Sequence, residues 1–95
     1  MALLSNAEIE ERLSGLPDWE LQGSAISRSF ACGDFVGSTK FVASLVGPAE
    51  EMNHHPDVAI SWDKVTVTIS THSEGGLTEA DFELAGKVDA LSPTS

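Results

Sequence analysis

The chain holds three histidines, two of them adjacent in the run Asn53-His54-His55-Pro56 and the third at His72. An unperturbed imidazole titrates close to neutrality, so these groups can give or take a proton at working pH. No other acid/base centre of this kind stands out. His54 and His55 follow a segment patterned as a helix, whose C-terminal dipole favours a protonated ring. Glu50 and Glu51, one turn earlier, favour it too. Pro56 biases His55 toward an extended backbone and re-aims the chain from helix to strand. His72 keeps phase with Thr66, Thr68 and Ser70, so on a regular strand it stands off the buried face. A strand end and a helix end that meet at one rim of a sheet would gather all three. Plain solvation is the alternative for a histidine at a strand end. Zinc is the competing chemistry. Adjacent extended residues point opposite ways, however, so His54 and His55 are poor joint ligands, and no cysteine pair supports a metal.

The elements that must position these groups follow from periodicity. Ser5-Asn6-Ala7-Glu8 reads as a capping box, and Ile9, Leu13 and Leu16 form one apolar stripe, which predicts a helix over about Asn6 to Gly15. Trp19 to Gln22 and Ala25 to Ala31 read as strands joined by a Gly23-Ser24 hairpin turn, with Ile26 and Phe30 on one face. Asp34 can cap a second helix that turns Phe35, Val42, Leu45, Val46, Ala49 and Met52 toward a core, with Phe41 beside them. Gly47-Pro48 interrupts it. The helix either kinks there or ends and restarts with Pro48 in a first turn. Asp57 to Trp62 and Lys64 to Thr71 alternate as a hairpin joined near Asp63-Lys64, with Val58, Ile60 and Trp62 on one face and Val65, Val67 and Ile69 on another. Ser73 to Gly76 is a loop. Thr78 caps a third helix with Asp81 at its third position and a Leu77–Phe82 staple; its core residues are Phe82, Leu84, Ala85, Val88 and Leu91, and it ends near Pro93. The order α-β-β-α-β-β-α implies an α+β fold, with helices on one face of a sheet and strand edges open to a second subunit.

Residues 1–95 are long enough for one domain, and oligomerisation would bury more of so short a chain. Fifteen acidic against five basic residues leave a net charge of -10. That disfavours nucleic acid and anionic membranes as partners, and points to a neutral, cationic or small ligand. The segment from Met1 to Asn6 lacks a basic region and an apolar run, so no signal peptide is expected, and no stretch is long enough to span a membrane. Cys32 is the single cysteine, which excludes an internal disulfide and fits a cytoplasmic setting.

The pattern Glu50-x3-His54-His55-Pro56-x5-Trp62-x9-His72-x8-Asp81 resembles the signature of the pterin-4a-carbinolamine dehydratases at every spacing. Leu16-Pro17, Trp19, Phe30, Asp34-Phe35, Phe41-Val42, Thr71-His72, Gly76-Leu77-Thr78 and Leu84-Ala85 extend the resemblance across residues 6–91. It implies a single four-stranded antiparallel sheet with helices on one face. It implies dehydration of a 4a-hydroxytetrahydropterin to quinonoid dihydropterin and water, in tetrahydropterin recycling. It also implies a homodimer or homotetramer joined through sheet edges. No metal or other cofactor is implied, because dehydration is not a redox change. By this resemblance His54 and His72 are the candidate general acids, and His55 orients the pterin while sharing in proton transfer. Glu50 either tunes the histidines or is merely solvated. Pro56 shapes the turn and lines the site. Trp62 could stack on the ligand, although its phase with Val58 and Ile60 assigns it to the core. Asp81 is a helix cap or a support for a histidine. Competing functions are a binding module, since animal family members also partner a transcription factor, a dehydratase for another pterin, and a structural relative without activity.

Overall fold

Ser5 opens the first helix by the reciprocal bonding its spacing requires. The Glu8 amide donates to the Ser5 hydroxyl and the Glu8 carboxylate accepts from the Ser5 amide. The computed structural model describes residues 2–93. Met1, part of the opening segment, and residues 94–95 lie outside them. Helix α1 spans Asn6–Ser14, strands β1 and β2 span Glu20–Gln22 and Ala25–Ala31, and helix α2 spans Phe35–Ser44. Helix α3 covers Val46–Met52, strands β3 and β4 cover Asp57–Ser61 and Lys64–Ile69, and helix α4 covers Glu79–Ala90. Between β4 and α4 runs a single 3-10 turn, His72–Glu74.

All strands are antiparallel, in the order β1-β2-β4-β3. Gly23 takes a left-handed φ of 61° and closes the first hairpin where Gln22 pairs with Ala25. The central pair, β2 with β4, sets Ile26 opposite Ile69 and Phe30 opposite Val65, all four buried. Each such side chain contributes roughly 1.5–3 kcal/mol when fully buried. That exceeds what the opposite face earns from Ser27–Thr68 and Ser29–Thr66 hydroxyl contacts, so the apolar face sets the register. Phe41 and Leu45 from the α2 side, and Phe82, Leu84, Ala85 and Val88 from α4, complete the core with Trp19 and Leu77.

The interruption at Gly47-Pro48 resolves as an end and restart. Helix α2 stops at Ser44, Leu45 bridges, and Pro48 sits in the first turn of α3, where its missing N–H costs no helical bond. Several sequence expectations need correction. Phe35 and Val46 are exposed rather than core-facing, and Leu91 is 38% exposed as the cap residue after α4. The buried stripe of α2 runs through Ser38 and Phe41 instead. The second hairpin turn is Trp62-Asp63, one residue earlier than expected, because Ser61 pairs with Lys64. Trp62 adopts φ 52°, which breaks the alternation and leaves the indole 70% exposed. Val58 and Ile60 are exposed as well, because β3 is an edge strand that the helices cover only partly. Finally, β4 stops at Ile69 and His72 starts the 3-10 turn, not the end of a strand.

Candidate active site

Four chain segments meet at the end of the sheet where β3 begins and β4 ends. Helix α3 closes on Asn53, which takes a left-handed φ of 49°, a conformation Asn tolerates better than most residues. Its amide bonds Glu50 O, and the next amide, His54, bonds Ala49 O. The chain therefore reverses sharply just before the histidine pair, and Pro56 carries it extended into β3.

The two adjacent rings take different partners. His54 turns inward: its side chain is 11% exposed and Nε2 lies 2.6 Å from Asp81 Oδ1. Asp81 itself is wholly buried. Its other oxygen, Oδ2, accepts from the Thr71 hydroxyl at 2.8 Å and from the Thr78 amide at 2.8 Å. The Thr71 and Thr78 hydroxyls are 2.9 Å apart. Asp81 is thus both halves of the alternative posed by the sequence, closing a capping box with Thr78 at the start of α4 and holding the His54 ring. His55 turns outward, half-exposed, with Nε2 2.5 Å from Glu50 Oε2. Beside it lies an apolar hollow of about 180 Å³, walled by Val42, Ala49, Pro56 and Val58.

His72 is 76% exposed, with Nε2 3.7 Å from Asp57 Oδ2, an electrostatic contact rather than a hydrogen bond. Asp57 lies two residues past His55 and is the first residue of β3. Segment 54–57 and segment 71–72 are therefore tied twice, once through Asp81 and Thr71 and once through Asp57 and His72. At this end of the sheet His54, Asp81 and Thr71 form one linked group and His72 faces Asp57, while His55, Glu50 and Pro56 border the apolar hollow, which His54 and His72 do not line. Trp62 is not among them. It stands past the far end of β3, five residues and about 16 Å from Asp57 at the rise of an extended strand.

Thr71, Thr78, Asn53 and Asp57 were not read as site residues from the sequence. Asn53 carried a signal, an Asn just after a helical pattern. Thr78 carried its helix-cap signal, whereas Thr71 carried none, since its contacts with Thr78 and Asp81 depend on how the intervening turn folds back. Among the described residues, no three His, Cys, Asp or Glu side chains are arranged to hold one metal ion. A larger groove of about 760 Å³, bounded by Leu3, Leu4, Met52, Glu79 and Glu83, contains none of the histidines.

Comparison with known proteins converges on one family and one fold. The family model for pterin 4 alpha carbinolamine dehydratase matches residues 2–91. Two relatives provisionally named pterin-4-alpha-carbinolamine dehydratase are similar over nearly their whole length. One, from Thermosynechococcus vestitus, is 46% identical over 94% of each chain. The other, from Cyanothece sp., is 48% identical over 95% of this chain and 93% of its own. The crystal structure of a transcriptional coactivator/pterin dehydratase from Brucella melitensis superposes with a TM-score of 0.90 at 38% identity, covering 96% of this chain and 99% of its own. A pterin dehydratase-like protein identified as a RuBisCO assembly factor in the alpha-carboxysome is more distant, with a TM-score of 0.63 at 26% identity over 81% of this chain and 89% of its own. On this sequence match and this shared architecture, the chain belongs to the pterin-4a-carbinolamine dehydratase family.

Proposed function

We propose that the chain removes water from a 4a-hydroxytetrahydropterin, giving quinonoid dihydropterin, as a step in tetrahydropterin recycling. The observation that supports this reading is the double tie between segments 54–57 and 71–72, which links the adjacent pair His54 and His55 to the segment that bears His72. Hydroxide is a poor leaving group. A protonated imidazole, from His54 or His72, gives its proton to the 4a-hydroxyl. The C4a–O bond then breaks with its electron pair leaving on water. The N5 lone pair forms the C4a=N5 double bond, and the N5 proton passes to a base or to solvent. One positioned acid/base group is worth roughly 10²–10⁴ in rate. His55, held by Glu50, orients the pterin beside the apolar hollow, with Pro56 as part of its wall. The proton transfers need no metal or redox cofactor.

Residues 1–95 act as one domain that assembles with itself as a dimer or tetramer. Support comes from the open edge strand β3, where Val58 and Ile60 are 37% and 39% exposed beside Trp62, and from exposed Phe35 and Val36 on α2. An antiparallel pairing of β3 with a second β3 centred on Ala59 would carry the second copy's indole toward Asp57. That gives Trp62 a place at the rim that it lacks within one chain. The net charge of -10 repels nucleic acid and anionic membranes. Among the described residues no helix is long and apolar enough to cross a membrane, and the expected setting is the cytoplasm.

A binding role is the second reading, favoured by the likeness to the assembly factor. It leaves the histidines without work. Stopped-flow absorbance of a freshly generated 4a-hydroxytetrahydropterin separates the two. Dehydration should run well above its rate in buffer when the protein is added. An unchanged rate rejects the enzyme reading and favours the binding one.

A further inference from the structure

We propose that the Thr71–Thr78–Asp81 network fixes neutral His54 with its proton on Nε2, so that Nδ1 is the nitrogen that exchanges protons at the rim. The hydroxyl hydrogen of Thr71 is committed to Asp81 Oδ2. A hydroxyl has one hydrogen, so the 2.9 Å contact between the two threonines runs from Thr78 to Thr71. Thr78 Oγ1 in turn accepts from the backbone amide of Asp81 in the capping box, while the Thr78 amide donates to Oδ2. Two donors therefore point at Oδ2, the Thr71 hydroxyl and the Thr78 amide. Oδ1 is left facing His54 Nε2 at 2.6 Å. A carboxylate surrounded by donors takes a third donor there, which places the ring proton on Nε2. Nδ1 has no hydrogen-bond partner among the described residues, yet no unpartnered side-chain nitrogen is fully buried, so Nδ1 reaches solvent. One nitrogen is anchored and the other is offered.

Asp81 is therefore a positioning residue, acting through His54, and the threonines set its orientation. The assignment of the proton to Nε2 stands on hydrogen bonding alone. The use of Nδ1 on a pterin hydroxyl rests on the dehydratase reading. When His54 is the imidazolium, Nδ1–H is the proton that can leave, and Asp81 meets the charge from behind.

Asp81→Asn makes the inference sharp. An amide nitrogen cannot accept from the Thr78 amide or the Thr71 hydroxyl, so the Asn oxygen must face them. Its NH₂ then faces His54 and requires Nε2 to accept, which moves the neutral ring's proton to Nδ1.

The test is long-range ¹H–¹⁵N correlation on protein labelled at histidine nitrogen, recorded alkaline enough for the rings to be neutral. Wild-type protein should show His54 as the Nε2–H form, assigned by its absence in His54→Gln. The folded Asp81→Asn protein should show the Nδ1–H form. It should also lose about 10²-fold or more in kcat with KM little changed. A wild-type Nδ1–H signal, or an even mixture, overturns the inference, and that spectrum decides even if Asp81→Asn does not fold. The spectra need no substrate. A protein with the Nε2–H form and no dehydration activity keeps this inference and rejects the dehydratase reading.

Discussion

The Thr71 hydroxyl is buried against Asp81, 2.8 Å from Oδ2, whereas the ring of the next residue, His72, is 76% exposed and faces Asp57. The backbone leaves the ladder at Ile69, and this one step splits its side chains between a buried polar network and an open rim. Removing the donor should weaken the fold. Thr71→Val leaves Asp81 Oδ2 with one donor fewer in a buried site, at a cost of about 1–3 kcal/mol. Urea unfolding should show a lower midpoint with an unchanged slope, while Thr71→Ser, which keeps the hydroxyl, should lie much nearer wild type. Equal midpoints for Val and Ser would show that the hydroxyl contributes nothing.

Two glycines separate space from conformation. A Cβ on Gly37 would lie 2.1 Å from the carbonyl oxygen of Cys32, which is backbone and cannot step aside cheaply. Gly37→Ala should destabilise by 1–3 kcal/mol or more. Gly86 is inside α4 with nothing within 4 Å of the added atom. Gly86→Ala should stabilise by about 0.5–1 kcal/mol through helix propensity. Thermal melts of the two variants should move in opposite directions; a shift the same way in both contradicts this geometry.

Acid sensitivity should have a local component at the start of α1. The Glu8 carboxyl is held below its ordinary value of 4.5, first by the hydrogen bond from the Ser5 backbone and then by the Ser5 side chain. Glu79 is lowered as well, first by its hydrogen bond with Arg12. A carboxyl with a depressed folded-state value adds stability above its unfolded value, and the gain is lost as pH falls through the folded one. The difference in melting temperature between wild type and Glu8→Ala should therefore be full at pH 7 and shrink as the pH drops below about 4.5. A gap constant down to pH 3 would show that the capping carboxylate carries no such linkage.

The edge strand should govern assembly. Ile60 is 39% exposed on β3, and a lysine there adds charge where a second strand would lie. Sedimentation velocity should show wild type as a dimer or tetramer and Ile60→Lys shifted toward monomer, with an unchanged circular dichroism spectrum. A wild-type chain that sediments as a monomer at micromolar concentration rejects self-association through this edge.

Local chemistry in the sequence reached most of the fold. The Ser5–Glu8 and Thr78–Asp81 capping boxes, the Gly23 turn and the Val65–Val67–Ile69 alternation each depend on near neighbours, and each stands in the structure. Reading failed where tertiary placement decides. Periodicity could not tell that β3 lies at an edge, so Val58, Ile60 and Trp62 were assigned to a core that does not cover them. Phe35 and Val46 failed for the same reason on the outer side of α2 and α3. At the rim, the histidines were visible by type and the Asp81 capping role by spacing. The bond from Asp81 to His54 crosses 27 residues and has no local signature.

The most direct measurement is stopped-flow dehydration of 4a-hydroxytetrahydropterin by wild type, His54→Ala and His72→Ala, with folding checked by circular dichroism. If the rim imidazoles transfer the protons, wild type accelerates the reaction and each variant loses roughly 10²–10⁴ of that acceleration while keeping its fold. Wild-type turnover in both folded variants would contradict catalysis by these histidines.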